Sequence, residues 1–417
     1  MRRIALIFIV CVSFAVLPLS AQDATPTPAP AIAPELAAQM DRLETFVGRA
    51  RTLDELIDVP RAFPSRDAVR AYLAELYGTD LALQDLGRAE VLYKALWMLP
   101  RDTDLGATYL ALLGSQVAGF YDTNTQIMNV VPTMGEPGEL LTFTEQIIYV
   151  HEFTHALQDQ RFDLDTLMGD ETRASVPDQS LALLSLIEGD ATAVMNLYAT
   201  QATAINPGLS VQLVTEGLLA GNLFLPPDIP AILGRELALP YENGLAFVLN
   251  VWRDGGWDAV NAAFANPPTT TEQILHPEKY LAGEGAVEVL LDDVAEGLGD
   301  GWTSIWAIPL GEFYLREHLR AGGLSLNAAA RAAAGWGGDF LRVYARADAD
   351  GTPRYAWLLR LVWDTPADAD EFETAYEAMA TARYGSELIE GCWQDAESSL
   401  CFGKNRGEQT IEYIELG

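Results

Sequence analysis

The sequence predicts an α+β protein: mostly helical, with a small β-hairpin ahead of its central helix and a small α+β domain at its carboxy end. Three observations predict this. Apolar residues recur at helical spacing from Glu35 to about Leu113 and again after Pro177. Gly119-Phe120-Tyr121 and Gln126 to Val131 flank Asp122-Thr123-Asn124-Thr125, a turn sequence between two strand-like runs. Beyond Gly335-Trp336-Gly337-Gly338-Asp339 the texture shifts to short alternating strands with one helical stretch.

Taken in order, the chain opens on Arg2 and Arg3, an apolar run from Ile4 to Leu19, and Ser20-Ala21. That pattern predicts a signal peptide over 1–21, cleaved after Ala21, with an uncleaved membrane anchor as the alternative. Either way the bulk of the chain lies outside the cytoplasm, secreted or attached to the cell envelope. Residues 22–35 form a Pro/Ala/Thr linker. Leu36, Met40, Leu43 and Val47, then Val69, Tyr72, Leu73 and Leu76, mark helices that carry packing, and one wall of a cleft, rather than chemistry. The main domain is expected over 36–338, with its core at 116–280, and the carboxy-terminal domain over 339–417.

A net charge of −33 over 417 residues excludes a generic binder of nucleic acid or anionic membrane, so a membrane enters only through a retained anchor. Cys392 and Cys401 are the cysteines left once the signal is removed. In an oxidising compartment they are expected to pair.

The chemistry centres on Tyr149-Val150-His151-Glu152-Phe153-Thr154-His155-Ala156-Leu157-Gln158-Asp159-Gln160. Thr142 and Glu145, three apart, read as a capping box, so a helix runs from there to about Arg161. Four residues along a helix is about 40° round its axis, so His151 and His155 can converge on one ion. Glu152, about 100° from His151, can reach a water on the ion's open side. Flanking Phe143, Ile148, Val150 and Phe153 make the helix buried, and buried histidines and a glutamate need a partner. A single Zn²⁺ would serve.

A second helix is expected from Pro177-Asp178, with Leu181, Leu184, Ile187, Ala191, Val194, Met195 and Tyr198 on its buried side. Glu188 stands beside that stripe, and a glutamate there is the natural third ligand, leaving a fourth position open. The alternative is an exposed glutamate beside Asp190.

His151-Glu152-x-x-His155 followed by Glu188 resembles the gluzincin group of zinc metallopeptidases, to which thermolysin belongs. Val117-Ala118-Gly119-Phe120-Tyr121-Asp122, HEFTHALQDQ and Glu188-Gly189-Asp190-Ala191 look like a group of uncharacterised exported bacterial proteins of that type. The resemblance covers about Gln116 to Tyr198. It implies a zincin-like catalytic domain, a hairpin whose second strand edges the cleft and pairs with a peptide, and a peptide or protein substrate. The chain departs from thermolysin in a longer gap between His155 and Glu188, in Ile187, and in Thr192 where an orienting aspartate is expected. Asp190 or Asp159 is left to orient the histidines.

From Ala199 to Pro240 the chain reads as apolar and loop-rich around Pro226-Pro227-Asp228-Ile229-Pro230, and Tyr241 opens a helix broken at Gly255-Gly256. Related peptidases use a tyrosine or histidine as donor to the oxyanion, and Tyr241, His276 and Tyr280 are the candidates. His318 reads as an ordinary helix residue. The expected function is an exported zinc metallopeptidase with Glu152 as general base. The alternatives are a catalytically silent zinc-stabilised binding protein and a non-peptide zinc hydrolase.

Overall fold

The computed structural model describes residues 5–7, 14–16, 33–77, 80–109, 119–131, 140–169, 175–220, 229–385, 388–405 and 408–415. The cleavage point after Ala21, most of the linker over 22–35, and Val117-Ala118 lie outside them. The class is α+β, with a six-stranded antiparallel sheet and a smaller sheet among the helices.

Two compact units make up the chain. The first is Met1–Gln84, Leu105–Ser175 and Ser180–Pro268; the second is Asp85–Asp104, Val176–Gln179 and Thr269–Gly417. The boundary expected between 338 and 339 is corrected. It falls inside the strand Trp336–Ala347, which pairs along its length with Pro353–Trp363. A chain cannot part there without breaking a ladder, and the division falls after Pro268 instead.

In the first unit the motif helix Phe143–Phe162 starts where its capping box puts it: Thr142 accepts from Glu145 N, and the Glu145 carboxylate accepts from Thr142 N at 2.9 Å. The helix Pro34–Arg51 lays Leu36, Met40, Leu43 and Val47 against Tyr149, Val150, Phe153, Ala156 and Leu157. Each such fully buried aliphatic side chain contributes about 1.5–3 kcal/mol. This packing fixes the motif helix from one side.

The hairpin joins Gly119–Asp122 to Ile127–Val130, with Gly119 opposite Val130 and Asp122 opposite Ile127. Its second strand is not a free edge over its whole length, since Arg61–Ala62 pairs in parallel with Met128 and Asn129. The first strand has Ile7 opposite Asp122, in a short strand Ala5–Ile7 that pairs with Phe14–Val16.

The ligand helix spans Pro177–Ile205. It is long and apolar enough to cross a bilayer, yet 72% of its apolar window is buried inside the protein. The loop expected around Pro226 to Pro230 lies mostly outside the described residues; before it stand the end of this helix and a helix Gly208–Ala220, and the helix expected to open at Tyr241 is corrected to Ala231–Ala265. Pro240 therefore lies inside a helix, at a cost of about 3 kcal/mol. Burial of Ile232, Leu233, Leu237 and Leu239 before it and Phe247, Val248 and Val251 after it offsets that cost. The break at Gly255 and Gly256 is present, with Gly256 at φ +67°.

In the second unit the sheet order is Thr303–Ile308, Trp336–Ala347, Pro353–Trp363, Glu408–Glu415, Ser398–Asn405, Cys392–Gln394. Cys392 faces Cys401 across neighbouring strands and the two are disulfide-bonded, which fits an oxidising compartment. His318 is fully buried, with Nδ1 3.2 Å from the Leu96 carbonyl and Nε2 3.1 Å from the Tyr376 hydroxyl.

Candidate metal centre

His151 and His155 stand one turn apart on the motif helix with Glu152 next to the first, and Glu188 reaches them from the ligand helix. All four side chains are at most 1% exposed, which excludes the exposed reading of Glu188. His151 Nε2 is 3.0 Å from Glu188 Oε2 and 3.1 Å from His155 Nε2, and His155 Nε2 is 3.5 Å from Glu188 Oε2. Ligands about 2.0–2.1 Å from a tetrahedral zinc ion stand about 3.3 Å from one another. The three edges bracket that value, and the donor set of two imidazoles and a carboxylate suits zinc. The residues fit the ion.

Electrostatics agree with the geometry. Burial pushes the Glu188 carboxyl up, but the neighbouring imidazoles, His155 first, outweigh it and hold the group below the usual carboxylate range. Burial lowers the His151 imidazole, against its bond to Glu188, and so keeps it in the neutral form that binds metal. Glu152 is pushed well above its ordinary value by burial and then by the Glu188 charge, against the hydrogen bond from Tyr121 N. That backbone N–H donates to Glu152 Oε2 at 3.1 Å, while Oε1 is buried with no hydrogen-bond partner among the described residues. The first hairpin strand thus holds one oxygen of Glu152 and leaves the other for chemistry.

Tyr241 comes from the helix Ala231–Ala265, its ring 5.9 Å from that of His151. Two glycines bring the helices that carry Glu188 and Tyr241 together. A Cβ on Gly189 would lie 2.3 Å from the Gly244 carbonyl, and one on Gly244 would lie 2.2 Å from the Ser185 carbonyl. No side chain fits between these backbones.

His276 belongs to the second unit. It lies between the short helices Thr271–Leu275 and Pro277–Ala282, with Nε2 3.1 Å from Glu312 Oε1 and 3.2 Å from Arg316 Nη2. Its bond to Glu312 raises its pKa, against burial. Tyr280, in the same segment, is half-buried, and burial raises its phenol.

Of the two acids left to orient the histidines, Asp190 acts at one remove. His155 Nδ1 is 2.8 Å from Gln158 Oε1, and Gln158 Nε2 donates to Asp190 Oδ2 at 2.8 Å and to the Ile187 carbonyl at 3.0 Å. Asp159 instead accepts from the Tyr121 hydroxyl at 2.9 Å and from Leu164 N. Gln158 was not singled out from the sequence, although three residues after His155 it shares that residue's helix face. His151 Nδ1 and Thr192 Oγ1 are both buried without a hydrogen-bond partner among the described residues. The departure at 192 therefore leaves the first histidine unbraced.

Residues 282–410 match a family described as a domain of unknown function (DUF8575). The matched stretch lies within the second unit and does not include the histidine pair or Glu188. Neither a curated protein nor a solved structure matches the chain.

Proposed function

We propose that this chain is an exported zinc-dependent peptidase of the gluzincin kind, in which His151, His155 and Glu188 hold one Zn²⁺ and Glu152 moves the proton. The observation that carries the reading is the meeting of three buried donor atoms within 3.0–3.5 Å, beside a glutamate with one oxygen uncommitted. A zinc ion bound there supplies a Lewis acid that polarises the scissile carbonyl and lowers the pKa of a water.

The remaining work falls to the chain. Tyr121 N–H fixes Glu152 through Oε2, so Oε1 accepts the proton of the attacking water and later delivers it to the leaving amine. The raised carboxyl supports keeping that proton between the two transfers. Tyr241, whose ring lies 5.9 Å from that of His151, is the candidate donor to the developing oxyanion within the same unit. The substrate is a peptide or protein, met outside the cytoplasm.

The test is zinc content and chelator-sensitive cleavage of a fluorogenic peptide mixture by the purified protein, beside Glu152→Gln. The variant is expected to keep one equivalent of zinc and to lose about 100- to 10,000-fold in kcat. Cleavage at the wild-type rate would remove the mechanism. Zinc without cleavage of any peptide would turn the protein into a zinc-stabilised binder.

A further inference from the structure

Resting on that reading, we propose that Arg51, the last residue of the helix Pro34–Arg51, is a positioning residue for the metal centre. It acts through Asp190 and Gln158 to set which nitrogen of His155 carries the proton. The sequence assigns this helix to packing and one wall of a cleft.

The argument follows donors and acceptors. Arg51 Nε donates to Asp190 Oδ1 at 2.6 Å, with both side chains fully buried. The guanidinium is held in turn by Asn261 Oδ1, 2.8 Å from Nη2, and by the face of Trp257, 4.5 Å from Cζ. A guanidinium can only donate, so Asp190 Oδ1 accepts from it, and the Ile187 carbonyl beyond can only accept. The amide of Gln158 faces two acceptors, Asp190 Oδ2 and the Ile187 carbonyl, and must present its NH₂ group to both.

Its carbonyl oxygen is therefore turned towards His155 Nδ1, 2.8 Å away, and that nitrogen must be the one that carries hydrogen. The lone pair is then on Nε2, the nitrogen facing His151 Nε2 at 3.1 Å and Glu188. A zinc ligand needs that tautomer. Reversing any link would turn an N–H into the metal position.

The experiment uses the full chain in two measurements. The first is ¹⁵N-histidine NMR of the metal-free protein, at a pH above the ordinary histidine range, where the chain's four histidines keep the spectrum simple. His155 is expected as the Nδ1–H tautomer. In Asp190→Asn, Arg51 takes the amide oxygen and the NH₂ turns towards Gln158, which keeps only the Ile187 carbonyl as acceptor, so part of the His155 population is expected to move to Nε2–H.

The second is zinc affinity by chelator competition. Arg51→Met and Asp190→Asn are expected to bind about 10- to 100-fold more weakly than wild type, with Arg51→Lys between them and wild type. An Nε2–H tautomer in the wild-type protein, or folded variants that bind zinc as wild type does, would overturn the inference and leave the peptidase reading standing. Should Arg51→Met not fold, the near-isosteric Asp190→Asn and the wild-type tautomer decide. A wild-type protein that binds no zinc would end the peptidase reading, and the tautomer measurement would still judge the wiring.

Discussion

Among the described residues two groups of side chains are spaced so that they could hold a metal ion, and into one of them the chain puts a lysine. Glu272, Glu284 and Asp364, in the second unit, bring one oxygen each within 4.8 Å of the others, as His151, His155 and Glu188 do in the first. Lys279 Nζ, however, lies 2.6 Å from Glu272 and 2.7 Å from Glu284, and also bonds Asp364. Burial pulls that ammonium's pKa down, but the carboxylates, Asp364 first, outweigh it and keep the charge in place. Donor spacing is thus a weak criterion. The sharper one is whether the protein has already neutralised the cluster.

The largest test of this contrast is Glu188→Ala. Elemental analysis is expected to show the zinc equivalent gone, because two imidazoles alone make a poor zinc site. Retention of a full equivalent would mean that the ion is held elsewhere. Next, Lys279→Met strands three carboxylates, and denaturant unfolding is expected to show a loss of about 2–3 kcal/mol, below that of a fully buried pair because the site is partly wet. Zinc content should not change; a second equivalent gained would show that the carboxylates take a metal once the lysine is gone.

The smallest effect is a pH slope. Asp178, in the second unit, is pushed by burial from 3.8 up to about 8, against its bonds from Thr271. Between those two values the folded protein holds a proton that the unfolded chain has released, so this group's contribution to stability falls as pH rises from about 4 to about 8. Asp178→Asn should flatten that part of the profile in denaturant melts at several pH values. An unchanged slope would exclude the group.

Legibility followed sequence distance. The capping box, the facing histidines and the hairpin turn each depend on residues within a few positions of one another, and each stands where the pattern puts it. Glu188 was also legible, because an acid on an apolar stripe is costly enough to mark itself. Arg51 was not, since its partner Asp190 is 139 residues away and an arginine at a helix end looks like an ordinary dipole partner. Pro240 misled for a related reason. Proline's local preference is to stop a helix, and only the apolar contacts of both flanks show why this one does not. The boundary at 338 failed because a change of texture marks where strands begin, not where a packing unit does.

The backbone contact between Gly189 and Gly244 has one more consequence. Where side chains set the spacing of two rods, swapping a leucine for a valine lets them drift, and whatever they carry drifts too. Here main chain rests on main chain, a hard stop that core substitutions elsewhere cannot compress. The tyrosine and the carboxylate on either rod keep a common gauge while the rest of the interior is free to change.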